Sequence, residues 1–118
     1  MSSWHDVASL EELESQGRVI ARIEGREIGV LIDPADKSLR ALRNRCPHVG
    51  SPLCLGTLRR RERGAAGTYD DPEQVNVLRC PHHGWEFDLQ TGFCLEDSKM
   101  RVAVYEVKVV DGRVQVLA

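Results

Sequence analysis

The sequence predicts an all-β domain of antiparallel strands. Three observations predict it. Apolar residues alternate with period two along several short segments, four of those segments pair through tight-turn residues into two hairpins, and only one stretch carries a helical signature. With 118 residues the chain is one domain long, enough for a single modest core. Its 42% apolar and 29% charged residues are an ordinary globular balance.

Taken in order, SLEELES (9–15) is the helical stretch. Ser9 is its N-cap and Glu12 completes a capping box, which predicts about two peripheral turns. RVIARI (18–23) and REIGVLI (26–32) flank Glu24-Gly25 and form a hairpin, and SLRALRNR (38–45) is placed to extend that sheet. RRRERGAAGTYDDPEQ (59–74), rich in Gly, Asp and Pro, is predicted to be a solvated loop. MRVAVYEVKVV (100–110), Asp111-Gly112 and RVQVL (113–117) make a second hairpin around a D-G turn.

The net charge of −2 suggests neither a nucleic-acid binder nor a polyanionic tail. Its distribution is uneven: residues 1–33 carry 7 acids and 3 bases, residues 34–85 carry 5 and 9, and residues 86–118 carry 6 and 4. The middle is a basic island. No apolar run approaches the roughly 20 residues that span a bilayer. The first residues show neither a basic start nor an apolar stretch of the export type. The chain is therefore expected to be cytoplasmic, and its four cysteines to be ligands or free thiols rather than disulfides.

Cys46-Pro47-His48-Val49-Gly50 and Cys80-Pro81-His82-His83-Gly84 echo each other as C-P-H-x-G. A thiolate and an imidazole two or three residues apart form a clip for a soft or borderline metal. A glycine after each clip allows the positive φ of a tight knuckle. Structural zinc fits two Cys and two His, but zinc sites usually pair Cys with Cys and His with His. Spacing alone leaves zinc and iron–sulfur both open, and it does not separate His82 from His83.

The residues around the clips go further. C-P-H-V-G-S-P-L (46–53) and C-P-H-H-G-W-E-F-D-L-Q-T-G (80–92) resemble the two cluster-binding loops of the Rieske family, in the form found in oxygenase-associated ferredoxins and oxygenase N-terminal domains. The resemblance covers about residues 18–117. It implies a Rieske-type fold with a base sheet from about 1–44 and 97–118 and a cluster-binding subdomain, about 45–96, inserted into it. It also implies one 2Fe–2S cluster per chain, with Cys46 and Cys80 on one iron and His48 and His83 on the other. His82 is left as a solvent-facing neighbour. One departure is the 31 residues between His48 and Cys80, more than the family usually has, and the charged segment 59–74 accounts for the excess.

Cys54 and Cys94 are not at clip positions. The respiratory members of the family link their loops by a disulfide whose positions here are Ser51 and His82, so Cys54 and Cys94 are expected to be buried, inert thiols. Those members also raise the cluster potential with a serine and a tyrosine hydroxyl, where this chain has Trp85 and Phe87. The resemblance then implies a low-potential one-electron carrier rather than a quinol oxidase. Its partners would be a reductase and an oxygenase, with no nucleic acid and no membrane. A small Rieske subunit of a nitrite-reductase-type enzyme is the second function class, and a zinc-stabilised interaction module the third. No G-x-G-x-x-G and no helical carboxylate–histidine set is present, so the chain is not expected to be an enzyme by itself.

Overall fold

The computed structural model describes residues 2–33, 37–47, 50–62, 74–82, 84–97 and 99–118. Among the described residues, nine strands form two antiparallel sheets. β1 (Trp4–Ser9), β2 (Arg18–Ile23), β3 (Arg26–Ile32), β4 (Leu39–Arg43), β8 (Val104–Val110) and β9 (Arg113–Leu117) make a six-stranded sheet in the order β1-β9-β8-β4-β3-β2. β5 (Thr57–Glu62), β6 (Gln74–Arg79) and β7 (Glu86–Asp88) make a three-stranded sheet in that order.

Both expected hairpins form, and their turns explain the residues chosen: Glu24 and Asp111 have φ of 50° and are followed by Gly25 and Gly112. The helix α1 (Leu10–Gln16) starts where the capping box placed it, with Ser9 Oγ accepting from the Glu12 amide at 3.0 Å. WHDVAS shows little strand pattern, yet β1 pairs with β9. Its weak alternation is compensated by tertiary pairing, interrupted by a bulge between Asp6 and Ala8 and locked outside by an Asp6–Arg113 ion pair at 2.6 Å. β1 and β2, the two sheet edges, approach one another with α1 against both, so the sheet nearly closes on itself.

The segment 59–74 is not all loop. Arg59–Glu62 continue β5 and Gln74 begins β6, in a hairpin that pairs Thr57 with Arg79 through to Glu62 with Gln74. Pairing with a neighbouring strand outweighs the charge run. The remainder, 63–73, lies outside the described residues.

Two apolar clusters fill the molecule. Leu13, Ile23, Ile28, Val30, Ala41, Val114 and Val116 pack inside the six-stranded sheet. Leu31, Leu42, Leu53, Leu78, Phe87, Leu89 and Val102 pack between the two sheets, together with all four cysteines. β3 and β4 are the shared wall, because alternate side chains serve opposite clusters. That explains the unbroken apolar run IGVLI.

Candidate metal centre

The same pair of backbone hydrogen bonds closes each of the two C-P-H-x-G segments into a ring. In the first, the Cys46 amide donates to the Ser51 carbonyl at 2.8 Å and the Gly50 amide donates to the Cys46 carbonyl at 2.7 Å. In the second, the Cys80 amide donates to the Trp85 carbonyl at 2.7 Å and the Gly84 amide to the Cys80 carbonyl at 3.0 Å. Gly50 and Gly84 both sit in the left-handed region, at φ of 78° and 72°, which closes each ring at little steric cost. β4 feeds the first ring through Asn44 and Arg45, and β6 feeds the second directly.

Cys46 and Cys80 are each 1% exposed and belong to one apolar cluster, with no disulfide among the four cysteines. Two thiols at equivalent points of two like loops, turned into a shared dry core, suit a soft metal group. His48 and His83 lie outside the described residues. His82 is described and exposed, in the turn of the second loop.

The other two cysteines have different surroundings. Burial pushes the Cys54 thiol up to about 12, against weaker opposing effects of the Gly29 backbone and Arg18. Its Sγ donates to the Leu42 carbonyl at 3.4 Å. Burial also raises the Cys94 thiol. Both are thus poor nucleophiles at neutral pH, as expected of packing thiols.

A polar frame that the sequence did not reveal holds the first loop. Asn44 Oδ1 accepts from the Cys54 amide at 2.8 Å, while Asn44 Nδ2 donates to Glu27 Oε1 at 3.1 Å. Arg18 reaches across the sheets to the Cys54 and Gly56 carbonyls at 2.8 and 2.7 Å. Asn76 donates to the buried Asp33 carboxylate at 2.9 Å. Arg45 and Arg79 stand outside this frame; they precede the two cysteines and lengthen the echo to R-C-P-H-x-G. Trp85 and Phe87 pack in or against the cysteine cluster, Phe87 fully buried.

The model of the Rieske-like [2Fe-2S] domain matches residues 3–117. This chain belongs to the Rieske-like [2Fe-2S] family. Membership implies a 2Fe–2S cluster and the role of an electron-transfer module in an oxidoreductase system. Among curated relatives, the oxidoreductase NdmD of Pseudomonas putida is 31% identical over 94 residues, which are 80% of this chain and 13% of that protein. The carnitine monooxygenase oxygenase subunit of Escherichia coli is 36% identical over 88 residues, 74% of this chain and 20% of that one. The chain thus spans a fifth or less of the length of these relatives. Among solved structures, a Mycobacterium tuberculosis protein assigned as the small subunit of an NADH-dependent nitrite reductase has a TM-score of 0.77 at 23% identity. That match covers 100% of this chain and 96% of the other, and at this identity it shows the shared Rieske fold alone. Among the described residues no helix is long and apolar enough to cross a membrane.

Proposed function

We propose that this Rieske chain is a low-potential ferredoxin that passes single electrons from a reductase to an oxygenase, with its cluster held by Cys46, His48, Cys80 and His83. The observation that carries the reading is the duplicated loop, which turns both cysteine thiols into one buried cluster. Each loop contributes one thiol from its first residue. The histidine two positions on in the first loop and three on in the second then completes a set of two sulfur and two nitrogen donors.

The cluster, when bound, accepts and releases one electron. Two ferric ions and two sulfides sum to about +2, and two thiolates cancel this, so neutral histidines leave the oxidised centre near zero charge. The residues of the chain set the rest. Trp85 and Phe87 stand where hydroxyl donors raise the potential in the respiratory members, and neither can donate an O–H bond. Fewer hydrogen bonds to the sulfurs mean a lower potential, suited to a carrier between a nicotinamide-linked reductase and an oxygenase. The sequence relatives that act in oxygenase systems support that choice of partner.

Two measurements test the proposal. Iron and sulfide analysis of the purified protein should give two of each per chain, and zinc in their place would refute the cluster assignment. A pull-down of the as-isolated protein should recover an oxygenase component. Stable co-purification with a large reductase subunit would instead identify it as a small subunit of the nitrite-reductase type.

A further inference from the structure

Both loops carry an arginine immediately before the cysteine, and the structure treats the two alike. The Arg45 guanidinium lies against Gly50, about 3.7 Å from where a Cβ would stand. The Arg79 guanidinium lies against Gly84, 2.8 Å from the equivalent point. At Gly84 the missing Cβ makes room for the guanidinium, whereas at Gly50 a Cβ would only touch it, and in both cases the guanidinium rests beside its loop. Both arginines are exposed, and neither makes an ion pair or a side-chain hydrogen bond among the described residues.

Their surroundings reinforce the charge. Arg45 shares a hollow with Arg22 and Arg43, and Glu27 is the one acid among the described residues that line it. That acid is already engaged by Asn44 at 3.1 Å and by Arg22 at 3.9 Å. The hollow beside Arg79 is lined by Thr57, Cys80, Pro81, His82 and Gly84, and none of these described residues is an acid. Leu55, 57% exposed and the most exposed of the large apolar side chains described, precedes by two residues Thr57, the strand partner of Arg79. An apolar anchor among unpaired arginines is the composition of a protein-binding surface.

We propose that Arg45 and Arg79, with Leu55, form a docking surface for an acidic patch on the redox partner. The inference rests on the reading above that Cys46 and Cys80 hold the cluster, because that reading makes these loops the end where electrons leave. The two arginines line separate hollows with no residue in common, so the positive charge is spread along a surface rather than focused on one small anion. The chain as a whole carries −2, so an acidic partner is not attracted from afar. At physiological salt, charges are screened beyond about 8 Å, and an approaching partner feels the local arginines instead of the net charge. Attraction confined to one end selects the productive orientation.

Small redox ions read the local sign without knowledge of the partner. The reduced holoprotein gives one electron to ferricyanide, forming ferrocyanide, or to hexaammineruthenium(III), forming the ruthenium(II) ion. With a cationic surface the ferricyanide rate falls as salt is added, and the hexaammineruthenium rate rises. Arg45→Gln with Arg79→Gln should lower the low-salt ferricyanide rate about tenfold, while Arg45→Lys with Arg79→Lys should largely restore it. Lys108→Gln, which removes a cation lying over Trp4 on the six-stranded sheet, should leave it unchanged. A ferricyanide rate that rises with salt in the unaltered protein, or that ignores the arginine pair, overturns the proposal. A second readout does not use the cluster: at low ionic strength a decaglutamate peptide should shift the NMR signals of the Arg45 and Arg79 side chains, and the absence of any shift counts equally against the surface. Should the protein hold no iron or sulfide, the ligand assignment fails while the peptide titration still reports on the docking surface.

Discussion

The two sheets of this protein are held together in different ways. The six-stranded sheet rests on long ladders, such as six consecutive pairs between β2 and β3, and on a core of aliphatic side chains with one helix over it. The three-stranded sheet has an equally long ladder between β5 and β6 and a three-pair ladder between β6 and β7, and it differs in its core, which contains every cysteine of the chain. Besides the apolar cluster packed between them, polar bonds join it to the larger sheet: Arg18 and Asn44 on the first loop, and Asn76 on Asp33. The larger sheet can account for its own stability by burial. The core of the smaller one includes the two cysteines of the loops, and a group bound by both loops would act as a cross-link between them.

The largest effect expected from this contrast follows loss of a ligand. Cys46→Ser, or His83→Ala, should abolish the visible absorption of the cluster entirely. Hydrogen exchange should then accelerate across β5–β7 while the amides of β2, β3, β8 and β9 remain protected. His82→Ala and Cys54→Ser should keep the spectrum. Retention of the cluster in His83→Ala with its loss in His82→Ala would reassign the second loop. Uniform loss of protection over both sheets would show that the two are one cooperative unit.

A smaller effect is expected where the sheets touch without the metal group. Gly29 in β3 faces Cys54, and a Cβ there would overlap both the Cβ and Sγ of Cys54 and come within 3.1 Å of Ile20 Cδ1. Gly29→Ala should therefore destabilise the protein by about 1–3 kcal/mol, read from denaturant unfolding. Cys54→Ala removes one of the overlapping atoms, so the double variant should cost less than the sum of the singles. Strict additivity would mean that β3 shifts to absorb the methyl group, leaving the two sheets uncoupled at this point.

These contacts also mark what could be read from the sequence. Both outer hairpins, the helix cap and the two cysteine loops were legible, because each depends on residues close in the chain: Glu24-Gly25, Asp111-Gly112, Ser9 with Glu12, and C-P-H-x-G. β1 was not, since Trp4–Ser9 has little strand pattern and is recruited by β9 from the far end of the chain. β5 was hidden because a run of arginines looks like a solvated segment until a partner strand is known; Arg59 meets the buried Glu86 at 3.0 Å across the sheet. Asn44 and Arg18 were invisible for the same reason. Their bonds to the Cys54 backbone link residues 10 and 36 positions apart, and no local pattern encodes them.

Cys54 also gives the boundary between the sheets a pH signature. Its thiol ionises near 9 in an exposed chain and near 12 in the folded protein. Between those values the unfolded chain has lost the proton and the folded one keeps it, so stability falls as pH rises from about 9 to about 12. One group contributes at most about 1.4 kcal/mol per pH unit. Equilibrium unfolding across this range should show a steeper alkaline decline in the unaltered protein than in Cys54→Ala. Equal slopes would place the thiol in contact with water.

The smallest predicted change is a tuning of the centre itself. The midpoint potential is expected below zero, toward the roughly −150 mV end of the Rieske range, because Trp85 and Phe87 supply no hydroxyl. It should also be nearly independent of pH around 7, since a low potential accompanies basic histidines. Phe87 is fully buried within the cysteine cluster, pairs with Leu78 and bridges Cys94. Phe87→Tyr adds one hydroxyl at that position. If the O–H reaches a cysteine sulfur, a bond of on the order of 1 kcal/mol, or some tens of millivolts for one electron, should raise the potential. If it reaches nothing, the buried hydroxyl costs about 1–3 kcal/mol of stability and leaves the potential unmoved. Voltammetry and thermal unfolding of the same variant therefore tell the two outcomes apart. A potential near +300 mV in the unaltered protein, falling steeply between about pH 7 and 8, would contradict the low-potential assignment at its root.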